Sequence, residues 1–131
     1  MPTSSGYKVL RSIAAVTASE AAPATTASGW FAPDQFPEAD GLEFAFTAAT
    51  MTGTSPVGKV TLWVRQTVGG AATVIPYKVD AATLTGNGGT AAAVQYANVP
   101  PGDWYATLST VTGTTPVITA KVLVRPYKTP T

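Results

Sequence analysis

The chain has 131 residues, enough for one domain that buries roughly two-thirds of its unfolded surface. Eight Lys and Arg against seven Asp and Glu leave a net charge of +1, a poor basis for holding nucleic acid. There is no Cys and no His, which removes disulfides, thiolate nucleophiles, the usual neutral-pH base and the commonest metal ligands. No enzyme is therefore expected, and no cofactor or metal is implied.

Charged residues are only 11% of the chain, against about 25% in an ordinary soluble domain. Solvent-facing positions then fall to Thr, Ala, Ser and Gly. Such a surface suits a protein covered by copies of itself or by a larger assembly.

Residues 7–16 (YKVLRSIAAV) read as a first strand, with Val9, Arg11 and Ile13 alternating against Lys8, Leu10 and Ser12. Its mixed faces mark an edge strand or one that pairs with another subunit. The apolar stretch after Lys8 and Arg11 is too short for a signal peptide, and no run approaches a membrane span. Cytosolic synthesis without a membrane partner is the expectation. Residues 17–29 (TASEAAPATTASG) are low-complexity, and Pro23 argues against a helix, so they read as an extended arm. An arm of this composition needs something to hold it: its own body, a second copy or another protein.

Residues 30–40 (WFAPDQFPEAD) form an irregular segment of aromatics, prolines and acids. Asp34, Glu38, Asp40 and Glu43 could offer oxygen ligands to Ca²⁺, but their spacing fits no calcium-loop motif. An acidic rim, or ion pairs with Lys and Arg, is the plainer reading.

Strands follow at 42–50 and 59–67, with Leu42, Phe44 and Phe46 on one face of the first and Val60, Leu62 and Val64 on one face of the second. Thr52-Gly53-Thr54-Ser55-Pro56 between them reads as a turn. Gly69-Gly70 turns the chain into a strand at 72–79, where Pro76 requires an edge or a bulge. Residues 85–90 (TGNGGT) are a further turn before a strand at 91–98. The last two strands are 103–111, with Trp104, Ala106 and Leu108 aligned, and 117–125, with Ile118, Ala120, Val122 and Val124 aligned. A proline-bounded tail ends the chain.

Residues 41–66 recur at 101–126. Thr47, Thr50, Thr52, Gly53, Thr54, Pro56, Val57, Val64 and Arg65 fall on Thr107, Thr110, Thr112, Gly113, Thr114, Pro116, Val117, Val124 and Arg125, and Glu43-Phe44 falls on Asp103-Trp104. The repeated unit reads as a β-hairpin. About seven short strands with turn chemistry between them predict an all-β antiparallel sandwich of immunoglobulin-like or jelly-roll type. Two segments are expected: a strand and arm over 1–28, and the sandwich over 29–131.

The Pro-Pro-Gly-Asp-Trp-Tyr run at 100–105 resembles the turn into a late strand of immunoglobulin-like and transthyretin-like sandwiches, in which a Tyr or Trp pins a corner. In its whole-chain composition the sequence resembles bacteriophage virion accessory proteins, such as capsid decoration (cement) proteins and small head or tail components. The shared features are the missing signal, absent Cys, few charges, Ala/Thr/Gly-rich strands and extended N-terminal arm. The resemblance implies a structural protein of the virion, working as a homo-oligomer, a trimer by expectation, against a major capsid or other virion protein. Tyr7, Val9, Arg11, Trp30, Phe31, Trp63, Arg65, Arg125 and Tyr127 are the expected interface residues. The arm would lie across neighbours, and a chain lacking 1–28 would fold without attaching. The alternative is a carbohydrate- or receptor-binding module of a fibre or tail tip, resting on exposed Trp63 or Trp30. An adhesin or matrix domain is disfavoured by the missing signal.

Overall fold

A computed structural model describes residues 8–31, 41–85, 91–97 and 102–127. It contains five strands: β1 (Lys8–Val16), β2 (Gly41–Val68), β3 (Ala71–Thr85), β4 (Ala91–Ala97) and β5 (Asp103–Tyr127). They make one antiparallel sheet in the order β1-β5-β2-β3, with β4 also pairing β2, and no helix occurs among the described residues. The all-β antiparallel class agrees with the sequence.

The strand count differs from the seven expected, for a local reason. Each T-G-T-x-P block lies inside one long strand, where a hairpin turn was expected. Gly53 sits opposite Thr115 and Pro116, while Ser55 and Pro56 sit opposite Gly113. Each copy's extra residues bulge against the other's, so the ladder continues through both. Pro56 and Pro116 fall in these unpaired positions, where a missing N–H costs no hydrogen bond.

The repeat is therefore real in three dimensions, and its two copies pair with each other. Thr54 faces Thr114, its own equivalent, and the ladder maps onto itself about that point. Phe44 opposite Val124 becomes Val64 opposite Trp104, and Ala48 opposite Ala120 becomes Val60 opposite Leu108. The bulge after Ala48 recurs after Leu108. Positive φ also recurs, at 106° and 119° for Gly53 and Gly113 and at 50° and 46° for Ser55 and Thr115. The flanks follow the same twofold: β1 lies beside the C-terminal half of β5 as β3 lies beside the C-terminal half of β2.

The two ends of this ladder meet. Phe44 and Trp104 have ring centroids 5.6 Å apart, although Trp104 pairs with Val64, twenty residues further along β2. Extended chain of that length would separate them by roughly 66 Å. The long strands therefore bend back on themselves, and one apolar core lies between the parts so brought together. It holds Leu42, Phe44 and Phe46, Val60, Leu62 and Val64, Trp104 and Leu108, and Ile118, Val122 and Val124. Burying each large side chain here contributes about 1.5–3 kcal/mol.

Gly69 and Gly70, both at positive φ, join β2 to β3 by a two-residue turn. β3 ends the strand order, and Pro76 lies at a register shift on it, as the sequence required. In β1 the alternation breaks. A bulge between Val9 and Arg11 shifts the phase, so Leu10 and Ile13 both reach the core while Val9 is 49% exposed. β1 is thus part of the sheet, and removing residues 1–28 would take two core side chains with it.

Candidate interaction site

Three residues nominated by the sequence converge on the outer face and edge of β5. The Arg65 guanidinium lies over the Trp30 ring, 4.7 Å from its centroid. Trp30 meets Tyr105 at 5.3 Å with a 52° tilt, and Arg11 lies over Tyr105 at 5.1 Å. The result is a stack of cation, two aromatics and cation, built from β2, the arm, β5 and β1. Strand alternation explains why it faces outward. Arg65 and Tyr105 lie on the face opposite Val64, Trp104 and Ala106, which fill the core.

Carboxylates pin both ends. Glu20, the only acid of the arm, takes hydrogen bonds from both terminal nitrogens of Arg11 at 2.6 and 2.7 Å. It also takes the Leu108 N–H at 2.9 Å, while its own N–H donates to the Leu108 carbonyl at 2.8 Å. Burial works to raise the Glu20 carboxyl, but the bonds from Arg11 and Leu108 with the Arg11 charge outweigh it and hold the group below its ordinary range. Its hydrogen bond to Glu20, against the opposing effect of burial, raises Arg11 above its ordinary value. At the other end Asp103 accepts from Arg65 Nη2 at 2.5 Å and Nε at 3.2 Å, and Arg65 Nη1 donates to the Thr25 carbonyl at 2.7 Å. Glu43 and Arg125 form the repeat-equivalent pair at the far end of the ladder.

The arm covers the edge of β5 with side chains as much as with backbone. Ser19 Oγ accepts the Val111 N–H at 2.9 Å, and Arg11 donates to the Ala106 carbonyl at 2.9 Å. Phe31 exchanges two backbone bonds with Trp104, at 2.8 and 2.7 Å. A turn at residues 24–27 closes with Ala27 N–H on the Ala24 carbonyl, which also takes the Trp30 indole at 3.3 Å. The arm, which the sequence reading laid across neighbours, rests on its own body here.

The remaining nominated residues are dispersed. Trp63 is half-buried opposite Tyr105, and its indole donates to Thr107 Oγ1 at 2.9 Å. Beside it Thr61 and Ser109 hydroxyls bond at 2.7 Å. Val9 lies exposed on β1, and Tyr127 closes β5 opposite Gly41. Tyr7, Asp34, Glu38 and Asp40 lie outside the described residues, as does the turn at 86–90. Of the corner candidates, Trp104 is fully buried in the core and Tyr105 joins the stack. Tyr105, Glu20 and Thr25 were not singled out as interface residues from the sequence. Glu20 carried a signal as the lone charge in a polar arm, and Tyr105 as the aromatic that ends the Pro-Pro-Gly-Asp-Trp-Tyr run.

Chemically the arrangement holds a segment in place. Both guanidiniums already carry a carboxylate, so neither is a vacant anion site. Among the described residues no group of three or more Asp and Glu is placed to hold a metal ion. No protein-family model, curated protein or solved structure matches the chain.

Proposed function

We propose that this protein is a non-enzymatic structural component of a viral particle, of the capsid-decoration type, acting as a homo-oligomer on a repetitive lattice. The observation that carries the reading is the N-terminal segment, residues 8–31, fastened along the outer edge of β5 from Val124 to Trp104. A chain that devotes so much sequence to one strand's edge is built for mechanical connection. Its stack and ion pairs hold the N-terminal segment to the sheet. The sparse charge and Thr/Ala-rich surface support burial within an assembly. The bent sheet works as a two-layer sandwich of seven strand segments, counting each half of β2 and β5 separately; the Phe44–Trp104 contact supports this.

A carbohydrate-binding reading receives less support, because it needs free, coplanar aromatic faces. Trp30 is tilted against Tyr105 and covered by Arg65, and the Trp63 indole is engaged by Thr107.

Sedimentation of the purified chain across a wide concentration range tests the assembly reading. A concentration-dependent oligomer is expected, with a trimer as the leading stoichiometry. A single chain at every concentration would defeat it.

A further inference from the structure

We propose that residues 8–31 form an exchangeable belt, and that in the assembled protein the belt of one copy lines β5 of the next. The inference rests on the assembly reading above and names the surface through which copies join.

The belt's contacts are unusually concentrated. β1 pairs with β5 alone in the sheet, over Ile118–Val124. The arm continues along the same strand, meeting Val111, Leu108, Tyr105 and Trp104 in turn, while Arg11 of β1 reaches the Ala106 carbonyl. A polar tie to another strand runs from Arg65, on the neighbouring β2, to Thr25. One strand's edge therefore receives nearly the whole segment.

These ties transfer between copies without loss. The Arg11–Glu20 pair is internal to the belt and travels with it. The others join the belt to groups that each copy presents identically: the Leu108 N–H and carbonyl, the Val111 N–H, the Tyr105 ring, and Arg65 with its Asp103. The belt offers a second copy the same charges in the same order. Self-held and exchanged forms then have the same bonds, and local concentration decides between them. Most side chains from Thr17 to Ser28 are exposed, so the apolar burial that opposes release is confined to the belt's ends, at Leu10, Ile13 and Phe31.

The internal twofold shows what is different about this strand. β3 fills the slot beside β2 through the two-residue Gly69-Gly70 turn, which leaves no freedom to exchange. The equivalent slot beside β5 is filled by β1, and the belt that carries it is joined to β2 through residues 32–40. A connection of nine residues in place of two lets a neighbour's belt compete for the slot.

The test uses cysteines introduced at Ser12 and Lys121, exposed residues that face each other between β1 and β5 in a chain without native Cys. The double variant, Ser12→Cys with Lys121→Cys, is oxidised at several concentrations and resolved on denaturing gels, alongside sedimentation of the same samples. A mixture of the single variants Ser12→Cys and Lys121→Cys, each keeping one native partner, is treated in parallel. Exchange predicts covalent multimers of the double variant that increase with concentration. It also predicts a mixed dimer of the single variants, its disulfide placed between positions 12 and 121 by peptide mass. A bond that stays internal while the protein sediments as an oligomer overturns the exchange and leaves the assembly reading intact. An internal bond in a protein that is monomeric throughout defeats both. No bond in either preparation also overturns the exchange, since β1 would then lie beside no copy of β5.

Discussion

Thr54 faces Thr114 across the β2–β5 ladder, and each is the other's counterpart in the internal repeat. A repeat that pairs with itself in this way makes every local feature of one copy answerable to the other. It places Glu43 opposite Arg125 and Arg65 opposite Asp103 as two instances of one ion pair.

The twofold predicts matched costs at Gly53 and Gly113. A Cβ on Gly53 would lie 2.6 Å from the Thr115 carbonyl oxygen, and one on Gly113 would lie 2.9 Å from that of Ser55. Both residues also hold positive φ. Gly53→Ala and Gly113→Ala should each destabilise by about 2–4 kcal/mol, Gly53→Ala slightly more. Gly70→Ala, at positive φ but in open space, should cost only about 1 kcal/mol. Denaturant unfolding of the three variants checks the ranking.

Trp104 predicts a split between two substitutions. Its indole is fully buried, with the Tyr77 ring perpendicular at 5.0 Å, and its N–H has no hydrogen-bond partner among the described residues. Trp104→Ala should cost about 3–5 kcal/mol through the cavity it leaves. Trp104→Phe should cost much less, about 1–2 kcal/mol, because it removes an unsatisfied donor along with the lost volume. Equal losses from the two variants in thermal unfolding would contradict this account.

Acid should loosen the arm through Glu20. Its folded pKa lies below the ordinary value near 4.5, so between the two values the unfolded chain binds more protons. Stability from this group is whole above the ordinary value and disappears as pH falls through the folded one. Glu20→Gln should flatten that part of the pH–stability curve while leaving the curve above about pH 6 parallel to the parent's.

Amide exchange reads the same contact residue by residue. Leu108 and Val111 donate their N–H groups to Glu20 and Ser19 side chains. Glu20→Ala should speed exchange at Leu108, and Ser19→Ala at Val111, each by about 5–30-fold if the bond is worth about 1–2 kcal/mol. Trp30→Ala should raise both rates together by freeing the arm from Arg65 and Tyr105. A rise confined to one amide would show that the stack does not fasten the arm.

Alternation alone made the core legible in the sequence. Leu42, Phe44 and Phe46 on β2, and Trp104, Ala106 and Leu108 on β5, face inward as the period of two requires. It failed on β1, because the bulge at Leu10 changes phase and nothing nearby in sequence announces it. The T-G-T-x-P blocks misled for a related reason. Gly and Pro signal a turn locally, and only the matching bulge of a strand sixty residues away keeps the ladder running. Arg11, Trp30 and Arg65 could be picked out as candidates by residue type. Their stacking around Tyr105 could not, since it joins four segments distant along the chain.

The mirrored bulges also constrain how this gene can change in length. Losing Gly53 alone would turn the next stretch of β2 over, sending Arg65 inward and Val64 out, unless β5 dropped the matching residue as well. Insertions and deletions near the centre of the molecule should therefore survive only in compensated pairs, while the periphery tolerates them singly.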